Sequence, residues 1–86
     1  DEDDLKGSEM KVSGVNWLKY DGINQPMESV IKIRYKDKGA AGLLSTYENG
    51  VKVRFYESVK GIAPGQSAVF YEGDDVIGGG IIQRST

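Results

Sequence analysis

Lys32, Arg34, Lys36 and Lys38 stand at every second position in the middle of the 86-residue sequence. On an extended strand that spacing sends all four side chains off one face, about 6–7 Å apart. A row of cations at such intervals suits a phosphate backbone, because each contact releases condensed counterions. Alternation of this kind is equally what the solvated face of a half-buried strand requires. From spacing alone, a phosphate-tracking surface and an ordinary polar face both stay open. Lys52 and Arg54 alternate in the same way further on and would add to the cationic surface. Tyr35, among these bases, is of a type that stacks on a base or sugar. Neighbours on a strand point to opposite faces, so the pattern sends Tyr35 into the core unless it lies at a strand end, a bulge or a rim.

Other chemistry is largely closed. The sequence has no Cys and no His, which removes thiolate nucleophiles, disulfides, the usual zinc ligands and the commonest general base. No nucleophile, base and orienting group fall into a constellation, so the chain by itself is not expected to be an enzyme. The glycines at 78, 79 and 80 precede Ile81-Ile82, with no Lys-Ser or Lys-Thr in phosphate-loop spacing. They read as places where a strand bends or another backbone comes close. Asp74 and Asp75 read as turn formers rather than metal ligands. Gln66, after Pro64-Gly65, has an amide able to donate and accept toward a ligand, or simply to be solvated. Trp17 reads as core.

The net charge of −2 hides a division. Residues 1–31 carry seven acids against three bases, residues 32–60 three against seven, and residues 61–86 three against one. The centre is a basic island. No stretch reaches the roughly 20 apolar residues of a membrane helix, and the absence of Cys fits a reducing compartment. A cytoplasmic protein without membrane contact is the expectation. The chain starts at Asp1 with DEDDL and no Met, which suggests a piece of a longer polypeptide.

The elements that must position these residues are strands. Residues 1–8 read as an acidic linker or disordered terminus and residues 9–86 as the folded domain. The alternation of Met10, Val12, Val15 and Trp17, interrupted by Gly14, predicts a strand over 10–18 with a bulge at the glycine. Residues 20–26 carry turn chemistry. Ser29 to Asp37, with Ile31, Ile33 and Tyr35 on one face, predicts a second strand. Residues 43–47 and the run from Val51 flank Asn49-Gly50, a favoured two-residue hairpin turn. A turn at those two residues sets Glu48 opposite Val51 and Leu44 opposite Phe55. Residues 67–71 and 76–82 pair across Gly73, Asp74 and Asp75. Twelve glycines and no 3.6-residue period exclude a substantial helix. Six short strands in so small a chain favour an all-β, closed six-stranded antiparallel barrel, since closure removes exposed edges. A sandwich is the alternative.

Four segments carry a family resemblance: VNW at 15–17, KIRYK at 32–36, VKVRF at 51–55, and PGQSAVFYEGDDVIGGGII at 64–82. The last is long and specific. In this order they resemble the carboxy-terminal barrel, of translation-factor-like type, of tRNA-specific 2-thiouridylases. The resemblance implies a domain excised from a multidomain enzyme that adenylates and then thiolates a wobble uridine. ATP and the sulfur-carrying cysteines belong to the absent amino-terminal domain, so no catalytic residue and no cofactor or metal ligand is expected here. The implied partners are tRNA, the upstream domains of the same chain, and a sulfur-donor protein acting on the whole enzyme. By resemblance, Arg34, Tyr35 and Gln66 are the expected tRNA contacts, with Lys32, Lys36 and Arg54 as phosphate neighbours. The acidic tip Glu72-Gly73-Asp74-Asp75 should then face away from RNA. Two rivals stand beside this reading: a structural or protein-docking barrel that packs on its own upstream domains, and a stand-alone barrel.

Overall fold

A computed structural model describes residues 6–34 and 38–83. Six strands follow in chain order: β1 (Lys6–Trp17), β2 (Met27–Lys32), β3 (Ala40–Tyr47), β4 (Gly50–Lys60), β5 (Ser67–Glu72) and β6 (Asp75–Ile82). They close into a barrel in the order β1-β4-β3-β2-β5-β6. Every neighbouring pair is antiparallel. The expected fold class therefore holds, with no helix among the described residues.

The period-two pattern fills the interior. Ile31 and Ile33, Leu44, Val51, Val53 and Phe55, Ala68 and Phe70, and Ile77 and Ile82 are buried with Met10 and Val12. Trp17 packs at the edge of this cluster, partly buried, its ring centroid 6.0 Å from that of Phe70. The predicted bulge in β1 is present: Gly14 takes φ +60° and the pairing with β6 shifts register between Ser13 and Asn16. The glycines at 78 and 80 admit β1 closely, since a Cβ on Gly78 would stand 2.8 Å from the Asn16 carbonyl oxygen and one on Gly80 2.5 Å from that of Ser13. A Cβ on Gly79 would stand 2.6 Å from the Ala68 carbonyl oxygen of β5. The glycine run is strand architecture, as its sequence context implies.

Several boundaries move. β1 starts at Lys6, so the folded part reaches into the stretch assigned to a linker; Lys6 and Gly7 pair with Lys60 and Val59 before a register shift ahead of Glu9. That irregularity breaks the alternation by which a strand is recognised. β2 ends at Lys32 rather than running to residue 37. The β3–β4 turn is Glu48-Asn49, with Tyr47 opposite Gly50 and Leu44 opposite Val53. Glu48 rather than Gly50 takes the positive φ, +51°. Gly50 lies in the strand, where a Cβ would strike the Val12 carbonyl oxygen of β1. Because the pairing slips by two residues, every side chain keeps its face.

Candidate functional site

The cationic row expected along one long strand is built differently. β2 stops at Lys32, and Ile33 and Arg34 follow as a bend at the barrel rim. Beside β2 lies β5, with Lys32 opposite Val69 and Val30 opposite Tyr71. The outward side chains of β5 alternate as Ser67, Val69 and Tyr71, since Ala68 and Phe70 are buried. Over this strand pair, where β2 ends, lies a groove of about 980 Å³ lined by Lys32, Ile33, Arg34, Gln66, Ser67, Val69 and Tyr71. Three residues singled out from sequence, Lys32, Arg34 and Gln66, thus converge on one concave surface.

Each is held by a neighbouring element. Arg34 Nη2 donates to the Lys60 carbonyl at 3.0 Å, tying the rim to the end of β4. The next residue, Gly61, has φ +76°, and its missing Cβ leaves the space that the Arg34 guanidinium occupies. Lys32 Nζ stands 4.9 Å from the centroid of the Tyr71 ring, a cation over an aromatic face. Gln66 has its backbone fixed: its carbonyl accepts from Ile82 N–H at 2.8 Å, while Gly65 N–H donates to the Ile82 carbonyl at 2.8 Å. Its side chain is left exposed at the mouth of the groove. Arg34 also borders a smaller hollow of about 260 Å³ shared with Lys38, Ser58 and Lys60.

Of the remaining expected residues that the structure describes, Arg54 does not line the groove. Arg54 and Lys52 face outward on β4 and meet Glu9 of β1, with Arg54 Nε 3.7 Å and Lys52 Nζ 3.8 Å from Glu9 Oε2. β3 lies between β4 and β2, and through Leu43 Arg54 is level with Glu28, four residues along β2 from Lys32, so Arg54 stands apart from Lys32 and, a further strand away, from Gln66. Tyr35 and Lys36 lie outside the described residues. Sequence reasoning passed over Tyr71, Ser67 and Lys60. The outward positions of β5 had only its alternation as a signal, which does not reveal that β5 lies against β2.

The acidic tip is internally compensated. Lys19 Nζ lies 2.8 Å from Glu72 Oε1 and 3.0 Å from Asp75 Oδ2, and Tyr20 Oη donates to Glu72 Oε1 at 2.8 Å. These hydrogen bonds, from Lys19 first and Tyr20 next, hold the Glu72 carboxyl below the usual carboxylate range. Donating to Glu72 and then to Asp75 holds the Lys19 ammonium above its ordinary pKa, and the bond to Glu72 likewise raises the Tyr20 phenol. The tip sits at the end of β5 remote from Gln66 and Arg34. Elsewhere on the surface Tyr56 Oη donates to Glu28 Oε2 at 2.7 Å, which raises the Tyr56 phenol.

No group of three or more Asp or Glu side chains among the described residues is placed to hold a metal ion. No helix there is long and apolar enough to cross a membrane. The arrangement can bind, with charge, an amide and an aromatic ring along a groove.

Comparison with known proteins gives one consistent result. The family model for the aminomethyltransferase beta-barrel domain matches residues 7–82. A tRNA-specific 2-thiouridylase of Clostridium tetani is 44% identical over 82 residues, covering 94% of this chain and 23% of the relative. One from Amoebophilus asiaticus is 46% identical over 84 residues, covering 96% and 22%. One from Cytophaga hutchinsonii is 42% identical over 85 residues, covering 98% and 23%. The chain spans under a quarter of the length of these relatives and corresponds to their carboxy-terminal portion.

Proposed function

We propose that this chain, which belongs to the aminomethyltransferase beta-barrel domain family, holds tRNA for a 2-thiouridylase whose chemistry is carried by other parts of the polypeptide. The named activity of its relatives supports the substrate. The observation that carries the reading is the convergence of Lys32, Arg34 and Gln66, distant in sequence, on one groove. Arg34, anchored through Lys60, presents a guanidinium for charge-assisted hydrogen bonds to phosphate. Lys32 supplies a second cation, and the Gln66 amide contacts sugar or base. Tyr35 and Lys36 remain contacts implied by the family resemblance alone, and Arg54, beside Glu9 on β4, stands outside the groove. Contacts of this kind position RNA rather than read its sequence.

The glycine run at 78–80 is packed against the β1 and β5 backbones and opens no helix. On this reading ATP use, sulfur transfer and the meeting with a sulfur donor belong to the remainder of the enzyme, and the cytoplasm is the compartment where such an enzyme meets tRNA.

The test is a titration of the 15N-labelled chain with tRNA at low salt, followed by amide shifts. Salt-sensitive shifts clustered at Lys32, Arg34, Gln66 and Ser67 are expected. Shifts confined to Glu72 through Asp75, or absent at Arg34 and Gln66, overturn the assignment.

A further inference from the structure

We infer that Tyr71, with Val69 beside it, is a stacking platform for one unpaired nucleobase in the β2–β5 groove; this rests on the RNA-binding reading above and specifies the form of RNA that the groove accepts. Tyr71 is an outward residue of β5, half-buried, so its ring is part of the groove wall and not a freely swinging side chain. One ring face is turned toward Lys32, whose ammonium stands 4.9 Å from the centroid. The pair joins two groups that nucleic acid engages separately. A phosphate draws the ammonium off the ring by its full charge, and the uncovered face then meets a base, whose stacking is indifferent to its identity. Val69, directly opposite Lys32 in the ladder, continues the apolar floor. Further along β5, Ser67 lies about 13 Å from Tyr71 by strand rise, and with Gln66 it offers polar groups to the neighbouring nucleotide.

The same geometry discriminates against duplex. In a paired helix the base faces are stacked on one another and out of reach of a wall ring, leaving phosphates and 2′-hydroxyls as the accessible surface. A duplex therefore uses Lys32 and Arg34 and gains nothing from Tyr71. An unpaired loop or end uses all three.

The experiment measures, by fluorescence anisotropy at low salt, binding of the 86-residue chain to a short single-stranded RNA and to a blunt-ended, fully paired duplex with the same number of phosphates. Tyr71→Phe keeps the ring, and its affinities should stay within about twofold of the unaltered chain, whereas Tyr71→Leu should weaken the single strand about 5- to 150-fold and leave the duplex unchanged. In the unaltered chain the Tyr71 ring protons should move upfield on adding single strand and stay in place with duplex, a readout independent of how well the Leu variant folds. Equal losses for both RNAs, no loss for either, or no ring-proton shift overturns the subsite while leaving the tRNA-holding reading intact. Failure of the unaltered chain to bind either RNA refutes that reading and the subsite with it.

Discussion

The groove and the β4 face each present two basic residues, and this symmetry makes a charge-matched test possible. Lys32→Ala with Arg34→Ala removes two cations from the groove. Lys52→Ala with Arg54→Ala removes two from β4, where both meet Glu9. The change in net charge is the same, so any difference in RNA binding reports position and not bulk electrostatics. Each phosphate neutralised contributes about 0.7 to the slope of log affinity against log salt for single strands, and about 0.9 for duplex. Removing both groove cations should flatten the slope by about 1.4 to 1.8. Over a fourfold rise in salt, from about 50 to 200 mM, the unaltered chain should then lose about 7- to 12-fold more affinity than the groove variant.

The β4 variant should behave otherwise. Its cations are already opposed by a carboxylate, and exposed pairs of this sort are worth about 0–1 kcal/mol, so the fold survives. Because β3 separates β4 from β2 and Arg54 is level with Glu28 rather than Lys32, RNA confined to the groove does not reach Arg54. Its slope should match that of the unaltered chain. The assay is anisotropy of labelled tRNA across the salt series, with thermal melts confirming that both variants are folded. A β4 variant that flattens the slope as much as the groove variant would refute the reasoning, since the RNA would then track the barrel without regard to the groove.

Three further outcomes follow from the same geometry. Gly61→Ala puts a methyl group where the Arg34 guanidinium rests, so RNA affinity should fall toward that of Arg34→Ala, whereas Gly14→Ala, at φ +60° with nothing within 4 Å of its Cβ, should show a melting-temperature loss from backbone strain and unchanged affinity. Gly80→Ala forces its Cβ to within 2.5 Å of the Ser13 carbonyl oxygen and 2.8 Å of Val12 Cγ1, and overpacking of this kind should cost about 1–3 kcal/mol, read as a lowered urea midpoint with the slope unchanged. The Glu72 carboxyl lies lower in the folded state than its ordinary value of 4.5, so its stabilisation is complete above that pH and is lost as pH falls through the folded value; Lys19→Met should shrink this acid-side loss in a urea midpoint series from about pH 6 to 3.

How much of this was legible depends on whether the determining interaction is local. Ile31 and Ile33 announce an inward face because neighbours two apart share it, and the buried positions of β4 follow from the same rule. The hairpin turn was misplaced because Asn49-Gly50 satisfies local turn chemistry, while the constraint that wins is the approach of the Val12 carbonyl to Gly50 from β1. The error did no harm to the core, since Leu44 exchanged one inward partner, Phe55, for another, Val53. Gln66 rises above a solvated turn residue only through the resemblance, because an exposed amide after a turn has no pattern of its own. Its position beside Arg34 depends on β2 pairing with β5 across the whole β3–β4 hairpin that separates them in sequence, and period-two reading does not specify strand neighbours.

Charge shows most clearly what folding adds. Divided along the sequence, the chain has an acidic start, a basic centre and an acidic end, and that division locates the binding surface anywhere on residues 32–60. Folding pairs the thirds with one another instead. The β1–β4 ladder carries Glu9 to Lys52 and Arg54, and the loop after β1 carries Lys19 to Glu72 and Asp75. Part of the basic centre is thereby opposed. Among the described residues no carboxylate pairs with Lys32, Lys38 or Lys60, and with Arg34 they gather around the groove and the adjoining hollow. On the RNA-holding proposal, an approaching polyanion is steered toward these described cations by a local attraction that the net charge conceals.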